Sequence, residues 1–206
     1  MLNNKIVASA FFVLFGLAGL VNAKSPGYEV LSTPQPTQNP DKVEVIEFFW
    51  YGCPHCYHLE PDLNKWLKTK PDNVDFIRQP AIFNSLWEKH AKAYFTAEAL
   101  GVVDKVHADF FDAIQNKKQK LESEDQLLKF FSEHGVSEVD FRNAYNSFPV
   151  DYKVRQAKTM AARYGVNGVP ALIINGKYRT SGSLAKTQQN MIEVMNRLIE
   201  KESSSQ

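Results

Sequence analysis

Cysteine is nearly absent from this chain: 206 residues hold two. A framework of several structural disulfides is therefore excluded. No second C-x-x-C and no distant His pair stands ready to complete a four-ligand zinc site. An excess of charge is missing too, with 24 basic and 23 acidic residues and no basic run. A nucleic-acid-binding footprint is thereby absent. There is no internal repeat. Only one long apolar run occurs, residues 6–21, 16 residues in all. At 1.5 Å per residue it spans roughly 24 Å, short of a bilayer core of about 30 Å. Lys5 is the only charge in residues 1–23, and Val21-Asn22-Ala23 ends in a small residue. The pattern is that of a secretory leader cleaved after Ala23. No cysteine follows the run, which excludes a lipid-anchored product. Without Lys5 the basic and acidic residues balance.

What is there centres on Cys53-Pro54-His55-Cys56. A structural bridge gains most by closing a long loop: about 2 kcal/mol for a four-residue ring, nearly 5 for a hundred-residue one. Placing both cysteines here suits reversible redox chemistry better. Residues 43–50 read as a buried strand, and an amphipathic helix follows over 53–68, with Pro61 inside it as a kink. The pair thus sits at a strand-to-helix turn, where unpaired N–H groups and the helix dipole favour a thiolate on Cys53. Pro54 suits the first helical position, and His55 adds a charge or a donor beside the sulfur. Cys56 lies deeper as the resolving thiol. An exported pair works where disulfides persist.

The rest of the chain follows an α/β pattern. Residues 24–42, with four prolines, form an extended arm with an edge strand at 28–32. Residues 74–79 form a second core strand closed by Pro80. Residues 84–148 carry only helical spacing, including a capping box at Ser123–Gln126 and a further short helix over 137–146. A helix over 151–164, a strand over 169–174, a tight Asn175-Gly176 turn and a helix over 185–201 complete the pattern, with a frayed tail at 202–206. The expected fold class is α/β, a thioredoxin-like fold with an inserted helical domain. Its divisions are a leader at 1–23, a discontinuous thioredoxin-like domain at 24–83 and 149–206, and a helical insertion at 84–148.

Glu47-Phe48-Phe49 before the pair, Cys53-Pro54-His55-Cys56-Tyr57, and Gly168-Val169-Pro170-Ala171 ahead of Asn175-Gly176-Lys177-Tyr178 together resemble the DsbA family of periplasmic thiol:disulfide oxidoreductases. The resemblance covers essentially the whole exported chain. It implies a Val169–Pro170 peptide bond that is cis and faces the dithiol. It also implies that Val169 offers its backbone to an extended substrate peptide. The substrates implied are reduced, unfolded exported proteins. A membrane quinone reductase similar to DsbB would reoxidise the pair. No cofactor beyond the Cys53/Cys56 disulfide, no metal, a periplasmic location and a monomeric state are expected.

Glu47 is a carboxylate in an apolar strand, costly unless it has a task. The expected task is accepting the proton of Cys56 as that thiol attacks a mixed disulfide, with Arg78 as a partner across the sheet. Glu44 is expected to face solvent, and His58 to lie on the surface. Phe49, Trp50 and Tyr51 divide between core and groove rim in a way the sequence leaves open. Two other functions stay open: a disulfide isomerase or reductase of the same fold, for which no dimerisation module is visible, and a non-catalytic metal-binding or chaperone-like module. A c-type haem is excluded because Tyr57, not His, follows the second cysteine.

Overall fold

A computed structural model describes residues 26–204. The expected leader lies outside the described residues. β2 (Val43–Phe49) is buried along its whole length and is an interior strand of a five-stranded sheet, second from one edge. It pairs in parallel with β3 (Val74–Pro80) and antiparallel with β4 (Ala171–Ile174). β5 (Tyr178–Ser181) follows β4 through the Asn175-Gly176 turn, and the short β1 (Glu29–Val30) closes the far edge. Both turn residues have positive φ, 51° and 62°, the conformation a two-residue hairpin of this twist requires. A side chain at Gly176 would collide with the Gln35 carbonyl of the proline-rich arm.

The two-residue period of β2 sorts its side chains. Val43 and Val45 face a core shared with α1 (Pro54–Leu67) and α8 (Gln188–Ser203). Ile46 and Phe48 face α6 (Phe148–Arg163). Glu47 therefore shares the α1 face with Val45, at the strand end that carries the dithiol. Between β3 and β4 run α2 (Ser85–Ala99), α3 (Val103–Gln115), α4 (Glu124–Glu133) and α5 (Glu138–Tyr145), then α6. The Ser123–Gln126 capping box at the start of α4 is formed. The aromatic core of this helical region is continuous with Phe49, Tyr51 and both cysteines.

Four local expectations need correction. Glu44 is 3% exposed rather than solvated, because the arm folds over it and Gln38 donates its N–H to Glu44 Oε2 at 3.0 Å. The final helix does not begin at residue 185. A short α7 (Gly182–Ala185) ends at Lys186, whose φ is 74°, and α8 restarts after Thr187, which caps it. Nor does its end fray at 202: Glu202 is buried and accepts hydrogen bonds from Asn175 and Lys177 at the hairpin turn. Finally, Val169 and Pro170 precede β4 instead of belonging to it. The β2–β4 ladder starts at Phe48 and Ala171, and Pro170 has no N–H to contribute.

Candidate active site

Cys53 is the N-cap of α1, with extended backbone at φ −91° and ψ 114°. Pro54 occupies the first turn, where its missing N–H costs nothing. The turn is tight: Cys53 N donates to Trp50 O at 2.9 Å, and Gln115 at the end of α3 donates to Tyr51 O at 2.8 Å. The Cys53 sulfur accepts the Cys56 N–H at 3.4 Å. On its other side it lies 3.4 Å from the Val169 carbonyl, next to the cis Val169–Pro170 bond. Both thiols are free in this structure.

The environment separates the two sulfurs. Hydrogen bonding from the Cys56 thiol, with the N–H groups of Cys56 and His55 and the charge of His55, outweighs partial burial and brings the Cys53 pKa from 9.0 to about 6. Burial pushes Cys56 well above the ordinary range, and the charges of Cys53 and Glu47 add to that. Cys56 is completely inaccessible; Cys53 is 7% exposed. Iodoacetamide applied to the reduced protein should therefore label Cys53 alone, with a rate midpoint near pH 6, against about 8.5 for a free thiol. Equal labelling of the two cysteines, or a midpoint near the free value, would contradict this assignment.

The other expected residues fall as follows. His55 and Pro54 are exposed, and His55 O accepts a hydrogen bond from Gln188 Nε2 at 2.6 Å, which ties α8 to the dithiol turn. Val169 and Pro170 line a cleft of about 400 Å³ beside Cys53, together with His55, Ser183, Lys186 and Gln188. Glu47 is fully buried. Burial, then the charge of Glu60, lifts its pKa to about 8 against the opposing pull of Arg78. Arg78 is its partner across the β2–β3 register, Nε to Oε2 at 3.4 Å. His58 is exposed, as expected, and among the described residues no group of three or more His, Cys, Asp or Glu is placed to hold a metal ion. Phe49 and Tyr51 are core, whereas Trp50 is half-buried and stacks on Trp87 with ring centroids 4.3 Å apart.

Sequence reasoning missed Glu60 and His107. Glu60 is 6% exposed and accepts hydrogen bonds from Arg78 Nη2 at 3.0 Å and Asn64 Nδ2 at 3.2 Å. Its position was a usable signal: it is four residues after Cys56, on the same helical stripe as Leu59 and Leu63. His107 on α3 had none, because its partners lie on other elements.

A family model described as a DSBA-like thioredoxin domain matches residues 75–191. That match begins beyond the dithiol, but the similarity to whole proteins includes it. The thiol:disulfide interchange protein DsbA of Azotobacter vinelandii is 40% identical over 200 residues, 94% of each chain. The DsbA of Pseudomonas aeruginosa strain PAO1 is 39% identical, covering 92% of this chain and 90% of that one. The crystal structure of Pseudomonas aeruginosa DsbA superposes with a TM-score of 0.83 at 38% identity, over 87% of this chain and 93% of that chain. DsbA from Xylella fastidiosa gives 0.81 at 28% identity, over 86% and 96%. With an N-capping Cys53, a buried Cys56 and a cis proline against the Cys53 sulfur, the chain belongs to the DsbA family of thiol:disulfide oxidoreductases.

Proposed function

We propose that the protein introduces disulfides into reduced, unfolded exported proteins, working in the periplasm after loss of a leader at Ala23. A substrate thiolate attacks Cys53 Sγ of the oxidised pair. The Cys53–Cys56 bond breaks, and its electrons stay on Cys56 Sγ, which takes a proton from Glu47. A second substrate thiolate then attacks the substrate sulfur of the mixed disulfide and expels Cys53 as a thiolate. The substrate leaves oxidised by two electrons and the dithiol remains. A DsbB-like membrane quinone reductase takes those electrons. No cofactor other than the cysteine pair is required.

The observation that carries this reading is the contrast between the two sulfurs. A thiol of low pKa is a good leaving group, so the second exchange favours release of an oxidised substrate. At neutral pH Glu47 is mainly protonated, so it serves first as the donor to Cys56; in the reverse step, attack by Cys56 on a mixed disulfide, the same carboxylate accepts that proton. Val169 would hold the substrate as an added strand in the cleft. The chain is expected to act as a monomer.

Equilibration with glutathione buffers tests the direction of electron flow. The Cys53/Cys56 couple should be more oxidising than the glutathione couple, and Cys53→Ser should abolish oxidation of a dithiol peptide. A couple more reducing than glutathione would turn the assignment to a reductase. Retained turnover in Cys53→Ser would remove Cys53 from the reaction altogether.

A further inference from the structure

Beneath the dithiol five polar groups from five segments meet, four of them buried and Arg78 partly so: Glu47 on β2, Tyr51 on the turn, Glu60 on α1, Arg78 on β3 and His107 on α3. One guanidinium serves two carboxylates, which makes the location of the remaining proton decisive. We propose that His107 is a positioning residue for the exchange reaction: by presenting Nε2–H to Glu60, it holds the negative charge on Glu60 and leaves the transferable proton on Glu47, beside Cys56. This rests on the role given to Glu47 above and adds what keeps that role available.

The geometry supports it in three steps. Tyr51 Oη lies 2.8 Å from His107 Nδ1. Burial keeps the phenol protonated, with the charges of Tyr94 and Glu60 acting in the same direction, and no other acceptor for its hydrogen is found among the described residues. The phenol therefore donates to Nδ1. A neutral imidazole that accepts at Nδ1 carries its hydrogen on Nε2. That atom is 3.4 Å from Glu60 Oε1; neither has a well-formed hydrogen bond among the described residues, and the approach is an electrostatic one that puts a donor and not a lone pair against the carboxylate.

The two carboxylates are then unequal. Glu60 has Arg78 and Asn64 on Oε2 and His107 facing Oε1. Glu47 has only Arg78 Nε at 3.4 Å, and neither of its oxygens has a well-formed hydrogen bond among the described residues. For Glu60, burial raises the pKa, but the contact with His107, then the charge of Arg78, bring it below the usual value; Glu47 is raised. His107 itself is kept neutral by burial, which outweighs Glu60 and the Asp104 charge on its own helix. Its ring is enclosed edge-on by Phe49, Tyr94 and Phe111. The helical region thus supplies a component of the reaction centre.

Carboxyl-labelled glutamate in the full reduced chain allows both groups to be titrated by carbon NMR, with Glu47→Gln and Glu60→Gln giving the assignments. In the parent protein Glu47 should be protonated and Glu60 ionised at pH 7. In the paired variant His107→Phe/Tyr51→Phe, which leaves no orphaned hydroxyl, the Glu60 midpoint should rise and the Glu47 midpoint fall, each by about one pH unit. His107→Gln, whose amide both accepts from Tyr51 and donates to Glu60, should restore the parental order. A parent protein with its proton on Glu60 overturns the proposal, whether or not the variants fold. So do midpoints that stay put in the paired variant. Rapid-mixing kinetics of substrate attack on the oxidised enzyme separate this from the role of Glu47: an unaltered pH profile in Glu47→Gln removes that role while leaving the proton's location as measured.

Discussion

Between pH 6 and pH 9 the reduced protein should gain stability over the oxidised protein by up to about 1.4 kcal/mol per pH unit. The cause is Cys53, whose pKa falls from 9.0 to about 6 on folding. A depressed acid contributes stability in full above its unfolded pKa and loses it as the pH falls through its folded pKa. The gain is therefore small below pH 6, about 1.4 kcal/mol at pH 7 and of order 4 kcal/mol near pH 9. Cys56 acts in the opposite sense. Its folded pKa is raised, so its contribution is lost once the unfolded thiol begins to ionise, and the curve turns over above pH 9. Glu47, raised to about 8, lowers stability as the pH rises, but it does so in both redox forms and largely cancels in their difference. Urea unfolding with and without reductant at pH 5, 7 and 8.5, followed by tryptophan fluorescence, measures that difference. Parallel pH curves for the two forms would show that Cys53 is not a stabilised thiolate. An oxidised form more stable than the reduced one at pH 8.5 would make the pair structural or reducing.

Arg78→Met should cost roughly 3–5 kcal/mol, because it leaves the buried, ionised Glu60, with Glu47 next to it, without their shared cation. At about 2–4 °C per kcal/mol for a chain of this size, the melting temperature should fall by about 6–20 °C at pH 7. The loss should shrink at acid pH, where Glu60 takes up a proton as Glu47 already has. Adding Glu60→Gln should recover more than half of it. Calorimetry of the three proteins at pH 5 and pH 7.5 provides the comparison. A single variant within 1 kcal/mol of the parent at both pH values would mean that solvent reaches the cluster and that the carboxylates do not depend on Arg78.

The dithiol was the most legible part of the chain. Two cysteines three positions apart, an apolar run before them and a proline at the next position define a capped helix start from local rules alone. The hairpin was equally clear, since Asn175-Gly176 is a turn by backbone chemistry. The start of α6 was missed although Ser147-Phe148-Pro149 carries both a capping serine and a first-turn proline; the apolar spacing drew the boundary one turn late. The break before α8 had less to show, because Lys186 takes positive φ where a glycine would have marked it. Glu44 was obscured for another reason. Whether a carboxylate is solvated depends on what covers it, and the cover here is a proline-rich arm. His107 shows the same limit, since its meaning comes entirely from groups brought to it by the fold.

The complete burial of Cys56 sets a clock. Only Cys53 Sγ lies within its reach, so every mixed disulfide has two exits and they compete. One is the arrival of the substrate's second cysteine; the other is attack by Cys56 on Cys53 Sγ, which re-forms the Cys53–Cys56 bond and expels the substrate as its original thiolate. The second exit needs a thiolate on Cys56, and each pH unit between ambient pH and a raised pKa thins that population about tenfold. A deeply protonated Cys56 thus lengthens the interval in which a flexible, unfolded chain can bring its distant partner cysteine to the site. The depth at which one sulfur is placed becomes a waiting time, long enough for slow searches by the substrate to end in a bond.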